Sequence, residues 1–502
     1  MKGDFTRDTF DPARHYSRVL MQQGRVQLDA DWNEQAAIFT HFLRALARDL
    51  IGPYGAPAGS LGFQLVNDIT KVVMRDGKPL VDPVSGTPTD QGKYNELTAG
   101  LKRGALIANP GIYYVDGIRV EAATPILYPP AADPQSPAPE IAPDSLIYLD
   151  VWERHITCIE DPHIREVALG EPDTTTRAQI VWRIASAPIA DNTQTPCDPA
   201  GIPQQPGNGR LRARARHDTG DMGPCAIPAT ASYRGAENQL YRVEIVVGGS
   251  IADGGAPTFV WSRENGSIVY PIASIDGSGQ QITVTSLGRD QKLALKAGDW
   301  VSVVDDDVEL IGPVEPPLQV KSVAPDTMIV TLVSATSIKD SGTHKLLRRW
   351  DAKPAPVVEY SDDATGLADK NWIALEDGVE IWFASGGTYA VGDYWLIPAR
   401  VATGDVEWPR DDSNAPLLRP ARGVRHHYAP LGYVDGNGTP HADPGCRQCF
   451  GRVARPCPAM GHNSSGKTLV KSTPVKSTPT KSTPVKSTPV KKTPRRKRAA
   501  PG

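Results

Sequence analysis

The residues with the clearest chemical signature are Gly461 to Thr468, which read GHNSSGKT and match the phosphate-binding pattern G-x-x-x-x-G-K-[ST]. In nucleotide hydrolases this loop follows a buried strand and opens a helix, whose N-terminal amides complete the anion site. Here RVARPCPAM precedes the loop and LVKSTPVK follows it, so prolines stand where the strand and the helix are required. We therefore predict a flexible junction at 461–468 and no bound nucleotide.

Four residues around this junction have the types that bind zinc. Cys446 and Cys449 have the spacing with which two thiolates grip one metal, and Cys457 with His462 would complete a tetrahedral site. Three other histidines could replace the last ligand: His426, His427 and His441. A disulfide bond formed after export and unligated thiols are the alternatives. Zinc is the one candidate cofactor.

Catalytic motifs are absent from the sequence. It contains no G-x-S-x-G elbow, no H-E-x-x-H helix and no dinucleotide fingerprint. Asp305, Asp306 and Asp307 could belong to a glycosidase pair or a calcium site, but no complete twelve-residue calcium loop is present. The sequence favours a solvated turn there. We predict a protein that is not an enzyme, with no catalytic residues.

The composition predicts a chain of many turns and few helices. Gly 46 and Pro 46 together make about 18% of the 502 residues, against roughly 12% in average proteins. No run of 18 apolar residues is present, which predicts no membrane span. The opening MKGDFTRDTFDPARH lacks the apolar core of a secretory signal. We therefore expect synthesis in the cytoplasm, with any release by another route.

Charge is distributed unevenly along the chain. Eleven of the 54 Lys and Arg residues lie from Lys467 onward, where Asp and Glu are absent, so the preceding residues carry 43 basic and 57 acidic side chains. Residues 471–494 repeat KSTPV, and the regular prolines and missing large apolar side chains predict a disordered tail. The tail either binds nucleic acid or another polyanion, or acts as a solubilising segment or an electrostatic tether. Its cationic residues are Lys471, Lys476, Lys481, Lys486, Lys491, Lys492, Arg495, Arg496, Lys497 and Arg498, preceded by Lys467.

One amphipathic helix is predicted over residues 25–51, before the stop Gly52-Pro53. Asp31 and Glu34 have the spacing of a capping box. Six residues form a single stripe at heptad spacing: Trp32, Ala36, Phe39, Leu43, Leu46 and Leu50. Ile38 and Phe42 extend the stripe to a second side. The helix either packs on its own β body or docks into a neighbouring subunit.

The rest of the chain reads as short strands separated by turns, so the fold class is mainly β. We predict a multi-domain body of β-sandwich and small-barrel type, with one N-terminal α-helix and a disordered basic C-terminal tail. The predicted segments are an arm and helix at 1–55, a first β domain at 56–190, a Pro/Gly/Arg-rich loop at 191–230, a continuing β region at 231–282, a small β-barrel at 283–348, a C-terminal β region at 349–450, and a Cys-containing junction with the tail at 451–502.

The opening stretch MKGDFTRDTFDPARHYSRVLMQQGRVQLDADWNEQ carries a family resemblance. It resembles the start of uncharacterised bacterial proteins encoded beside phage-tail-like contractile injection systems. The part from Tyr16 to Gln35 is also similar to N-terminal modules of phage baseplate and tail-fibre proteins. Further matches to the bacterial family include VWERHIT, FVWSRENGS and VGDYWLIPAR, over about residues 1–450. The resemblance implies a place in such a particle and no particular chemistry.

Three functions remain open from the sequence. The first is a structural component of a phage-tail-like contractile particle, at the baseplate, the fibre base or the exterior, whose partners are other particle subunits or further copies of the chain. The second is a secreted or particle-borne β protein that binds or cleaves carbohydrate. The third is a cargo whose tail binds nucleic acid.

We predict that the tail is an independent polycation. The logarithm of its affinity for duplex DNA should fall linearly with the logarithm of salt concentration, by roughly 0.9 per phosphate neutralised. Deleting residues 467–502 should abolish DNA binding and change the melting temperature of the body by no more than about a degree. Titration of labelled DNA at several salt concentrations and a thermal melt measure both quantities. DNA binding that survives the deletion would contradict the prediction, as would a truncated body that fails to fold.

Overall fold

The computed structural model describes residues 1–130, 141–170, 173–189, 202, 207–216, 233–288, 292–310, 314–363, 369–442 and 447–451 of the 502-residue chain. The chain divides into two units, Met1–Arg452 and Val453–Gly502, and every described residue belongs to the first. This first unit is mainly β, as the sequence predicts. The predicted tail and the GHNSSGKT junction lie outside the described residues.

Three sheets surround the first apolar core. The first sheet contains β1 (Tyr54–Pro57), β4 (Gly111–Val115), β5 (Ile118–Ala122) and β29 (Cys449–Phe450). The second contains β2 (Leu65–Val66), β3 (Leu106–Ala108) and β6 (Ile126–Tyr128). The third contains β7 (Ser145–Ile156), β8 (Arg177–Pro188), β27 (His427–Val434) and β28 (Pro440–Ala442). Side chains such as Tyr113, Leu149 and Leu431 fill the space between them.

Strand β7 holds the third sheet together. It pairs with β8 without a break, from Ser145 opposite Pro188 to Ile156 opposite Arg177. On its other edge it pairs with β27, which returns from the C-terminal part of the body. The predicted C-terminal region at 349–450 is therefore divided among this sheet, the first sheet, which contains β29, and the sandwich that follows, because long-range strand pairing overrides sequence order.

A β-sandwich forms the second apolar core. One sheet contains β10 (Gln239–Val247), β12 (Thr258–Ser262), β19 (Ala355–Pro356), β24 (Tyr394–Arg400) and β25 (Asp405–Val406). The other contains β9 (Arg210–Ala215), β20 (Glu359–Tyr360), β21 (Ile373–Ala374), β22 (Val379–Ala384) and β26 (Arg419–Pro420). A short pair, β11 (Gly249–Ser250) and β23 (Thr388–Tyr389), lies beside them. Trp261, Phe383 and Trp395 are among the buried side chains of this core.

The prediction of a loop at 191–230 is wrong for β9. Arg210–Ala215 pair with β22, from Leu211 opposite Phe383 to Ala215 opposite Val379. The segment RLRARA alternates: Leu211, Ala213 and Ala215 are fully buried, whereas the arginines point to the other side of the sheet. A period-2 strand therefore lies within an arginine-rich segment.

A closed six-stranded barrel completes the body. Its strands are β13 (Val269–Ile275), β14 (Gln281–Val284), β15 (Trp300–Val304), β16 (Leu318–Ala324), β17 (Ile329–Leu332) and β18 (Leu346–Trp350). The barrel begins one strand earlier than the predicted range 283–348, because β13 closes it by pairing with both β14 and β18. Ile282, Val301 and Leu347 are among the fully buried side chains of its interior.

Three α-helices occur in the described residues: α1 (Asp29–Ile51), α2 (Gln91–Lys102) and α3 (Asp306–Leu310). Five short 3-10 turns accompany them at Pro12–Arg14, Ile69–Lys71, Pro162–Ile164, Val167–Leu169 and Asp369–Asn371. The predicted helix is present, but its capping assignment is wrong. The helix begins after Leu28, whose backbone N–H donates to Asp31, and Glu34 accepts instead from the Thr9 hydroxyl.

Helix α1 lies directly on the turn between β4 and β5. Gly117 in this turn has a φ of +80°, and a Cβ atom built there would lie 2.1 Å from the Arg44 carbonyl oxygen. Only glycine allows both the left-handed backbone and this close approach. The Asp116–Gly117 turn of the β4–β5 hairpin is thus also the surface on which the helix rests.

We predict that Gly117→Ala destabilises the protein more than the matched Gly77→Ala. Gly77 has a φ of +79° and nothing within 4 Å of its built Cβ atom. The loss of stability on substitution by alanine there is therefore the conformational cost of the left-handed backbone alone, about 1 kcal/mol. Alanine at Gly117 adds the clash with α1, a further cost of about 1–3 kcal/mol. Urea unfolding of both variants measures the difference. Equal losses would show that α1 does not rest on this turn.

Candidate functional site

Helix α1 contacts the body through a few buried apolar residues and through polar side chains. Ala30 and Ile38 are its buried residues. Arg44 forms a two-pronged ion pair with Glu153 of β7, with N–O distances of 2.8 and 3.1 Å. The segment before the helix is bonded to it as well, since the Thr6 backbone N–H donates to Asp29 over 2.9 Å. These contacts fix the helix on the body.

The predicted stripe lies on the opposite, solvent-facing side of α1. We call its six residues the apolar face: Trp32, Ala36, Phe39, Leu43, Leu46 and Leu50. All six are exposed, and Trp32, Leu43 and Leu50 expose 78%, 67% and 72% of their surface. Of the two side chains that extend the stripe, Ile38 packs into the body and Phe42 is exposed. The body therefore leaves the stripe uncovered.

The charge pattern beside the apolar face suits a helical partner. With Trp32, Phe39 and Leu46 at heptad position d, the flanking positions e and g hold only one charged residue, Asp49. The ionic residues Glu34, Arg44 and Arg48 occupy positions b and f instead, away from the stripe. No charge pattern on the flanks therefore repels either a second copy or another subunit.

The arm that precedes α1 exposes further large apolar side chains. They are Tyr16, Leu20, Met21, Val26 and Leu28. Isolated exposed apolar residues are common on monomers, whereas a helix face and its neighbouring arm exposed together are typical of interaction surfaces.

A cleft of about 840 Å³ opens where the N-terminal residues, α1, β7, β10 and the barrel meet. Its ion pairs connect these elements. Arg154 of β7 donates to Glu309 over 2.8 Å and also to Asp306 of α3. Asp306 further contacts His344, and Asp305 is buried and accepts from the Val308 backbone N–H. The predicted solvated turn at 305–307 is therefore wrong for Asp305, which is buried, and for Asp306, which pairs with Arg154, whereas Asp307 is exposed.

Strand β10 supplies the charged floor of the cleft. Arg242 and Glu244 are buried on one face of the strand and pair with each other, and Lys2 lies 2.8 Å from Glu244. The Arg242 guanidinium lies 3.6 Å from the centre of the Tyr394 ring. Burial opposes ionisation of Glu244, but the charges of Arg242 and Lys2 outweigh it and lower the pKa of Glu244 from 4.5 to about 2.

Two His–Asp pairs line the mouth of the cleft. His426 Nδ1 lies 2.6 Å from Asp150, and His427 Nδ1 lies 2.9 Å from Asp116. The His426 ring also stacks on Trp152 with a centroid distance of 4.9 Å. A carboxylate that orients an imidazole is one part of a general-base arrangement, which also requires a hydroxyl or thiol bonded to the other ring nitrogen. The described residues show no such bond to either histidine.

The predicted zinc ligands are described for one residue only. Cys449 is exposed and free in β29. Cys446, Cys457 and His462 lie outside the described residues. The three substitute histidines each bond to an aspartate, His441 to Asp435. Within the described ranges no group of three or more metal-binding side chains occurs, and the zinc site stays a prediction.

The cleft residues were missed because they come from distant parts of the chain. Lys2, Arg242 and Arg348 are separated by hundreds of positions and meet only in the fold. A signal was nevertheless present, since LYRVEI and KLLRRW place charged residues inside strands that are otherwise apolar. Charges in a buried strand must be paired or must serve a site.

The comparisons with known proteins give one result. A family of unknown function, DUF6519, matches residues 1–195 and 206–490. The chain belongs to this family. No curated protein and no solved structure matches the DUF6519 chain. None of the helices in its described ranges combines the length and apolar composition needed to cross a bilayer.

We predict that the Glu244 ion cluster makes the DUF6519 protein acid-sensitive. Because the pKa of Glu244 is lowered to about 2, its contribution is fully present above about pH 4.5 and is lost as the pH falls toward 2. Glu244→Gln should be destabilised at neutral pH by about 3–5 kcal/mol, since it leaves the buried Arg242 and the partly exposed Lys2 without their carboxylate. The loss should shrink as the pH falls through this window. Urea unfolding at a series of pH values measures it, with Glu96→Gln on the exposed side of α2 as the control for removing one carboxyl group.

Proposed function

We propose that this DUF6519 protein is a structural, non-enzymatic subunit of a phage-tail-like contractile injection particle, which it joins through the apolar face of α1. The observation that carries the proposal is the exposure of all six stripe residues on a helix that the body holds in place. The partner is a neighbouring particle subunit that presents an apolar helical stripe. The sequence resemblance over about residues 1–450 supports the choice of particle, at the baseplate, the fibre base or the exterior.

The free energy available from burying the apolar face is large enough for it to serve as a docking surface. Burying one large aliphatic or aromatic side chain contributes about 1.5–3 kcal/mol. Five such side chains on the apolar face therefore supply enough to offset the entropy lost on association, which is on the order of 4–15 kcal/mol. The Arg44–Glu153 ion pair and the buried Ile38 hold the helix in place beforehand, so docking does not have to order it.

The basic tail adds a second contact in this proposal. Its eleven cations from Lys467 onward are chemically suited to a polyanion at the particle or in the target. The alternative of a carbohydrate-binding or carbohydrate-cleaving protein draws on the cleft, where Trp152 and the two His–Asp pairs line a cavity of suitable size. A cargo whose tail binds nucleic acid is the third candidate.

We predict that Phe39→Asp combined with Leu43→Asp abolishes docking and leaves the isolated protein folded. Both side chains are exposed, so the change should shift the melting temperature little, while two charges in the interface would oppose association. The matched control is Val84→Asp with Val333→Asp, two exposed aliphatic residues outside α1, which should still dock. Ile38→Asp should unfold the protein, because Ile38 is buried.

The measurement is mass spectrometry of purified particles assembled with each variant. The native chain and the Val84/Val333 control should be present at a fixed stoichiometry, and the Phe39/Leu43 variant should be absent. Particles that contain the Phe39/Leu43 variant at the native level would contradict docking through this face. Particles that never contain the native chain would contradict a role as a subunit and favour the free carbohydrate-active protein.

A further inference from the structure

The cleft contains a buried cation with no carboxylate partner. Arg348 of β18 exposes only 5% of its surface, and its guanidinium donates to the Gly266 carbonyl oxygen. Its Nε atom is buried without a hydrogen-bond partner, and among the described residues no carboxylate lies within ion-pair distance of it. Three acidic groups act on it from farther away: Glu309, Glu244 and Glu160. Glu309 is already paired with Arg154, Glu244 is paired with Lys2 and Arg242, and Glu160 accepts from Thr157.

Two more cations converge on the same place. A Cβ atom built on Gly266 would lie 3.7 Å from the Lys2 side chain and 3.8 Å from those of Arg242 and Arg348. Glu244 is the carboxylate that pairs with Lys2 and Arg242. The stems of the three cationic side chains thus lie together, and Glu244 pairs with Lys2 and Arg242 but not with Arg348. Burial is the main cause that lowers the pKa of both Lys2 and Arg348. An uncompensated buried charge costs several kcal/mol, and a bound anion would remove that cost.

A histidine on the cleft wall lacks a partner as well. The Nε2 atom of His155 in β7 is buried and unbonded. Burial first, then the charge of the N-terminal amine, and then the positive charges of Arg348, Arg242 and Lys2 lower the pKa of His155 to about 3. The imidazole is therefore neutral at pH 7, and in the tautomer with the proton on Nε2 it can donate one N–H to an anion.

We propose that the central cleft binds a small organic anion, whose carboxylate or phosphate group sits against Arg348 and His155. The cleft volume of about 840 Å³ is within the range of small-molecule sites. Trp152, Trp350 and Tyr394 line the same cleft and offer apolar surface for the organic part of the ligand. The proposal does not depend on the particle function, because the five large side chains of the apolar face do not line the cleft; only Ala36 of that face does.

The test uses the full-length chain with two probes, inorganic phosphate and citrate, added at constant ionic strength against sodium chloride. Either probe should raise the melting temperature and give a saturable isotherm in calorimetry. Arg348→Met should weaken binding by about tenfold or more, since a lost hydrogen bond to a charged group is worth about 1.5–3 kcal/mol. A stronger response to phosphate assigns a phosphorylated ligand, and a stronger response to citrate assigns a carboxylate.

The control distinguishes anion binding in the cleft from non-specific attraction by positive charge, which the basic tail also provides. Arg75→Met changes the net charge equally at an exposed site and should bind both probes as the native chain does. If Arg348→Met does not fold, His155→Phe provides the second variant and should also weaken binding. No saturable binding to the native chain, or equal binding by native, Arg348→Met and His155→Phe chains, would overturn the proposal. Arg348→Met should still enter particles, so failure here leaves the docking function standing.

Discussion

The structure depends on the two faces of strand β10. Successive side chains of a strand point to opposite sides, so Tyr241, Val243 and Ile245 enter the sandwich core while Arg242 and Glu244 face the cleft. Charges buried on the second face require partners, and Lys2 brings the N-terminal segment to them. Arg242 and Asn265 also bond to the Met1 carbonyl oxygen, and Asn265 bonds to that of Gly3 over 2.8 Å. The ionic floor thus determines the path by which the chain reaches α1.

That path explains why one helix has two unlike surfaces. The segment from Lys2 reaches the start of α1 where Thr6 bonds Asp29, and Arg44 then fixes the middle of the helix to β7. The contact is made by Ala30, Ile38 and ionic side chains, so the other large apolar side chains of α1 remain outside. A heptad stripe looks the same in sequence whether it covers its own sheet or a neighbour. Only the structure shows which face the body occupies.

The features that were predicted correctly are those that short-range sequence patterns determine. The mainly β character, α1 and most of the barrel follow from turn residues, helix periodicity and alternation within short windows. The predictions missed β9, because arginines mask the buried Leu211 and Ala213, and they missed α2, whose stretch QGKYNELTAGLK has a weak apolar stripe. The pairing of β27 with β7 and the placement of Lys2 and Arg348 in one cleft are long-range contacts. The periodicity of apolar residues along the sequence carries no information on such contacts.

The pairing of β7 with β27 also governs how the chain is made. The first eight residues of β7, Ser145 to Trp152, are all buried in the folded protein. One edge of β7 pairs with β8 soon after synthesis, but β27, the partner of the other edge, begins only at His427. A ribosome adds about 5–20 residues per second, so this apolar edge waits on the order of tens of seconds for its partner. An open apolar edge is a template for pairing with other chains. Nascent chains that stop before residue 427 therefore keep that edge of β7 unpaired and open to pairing with other chains.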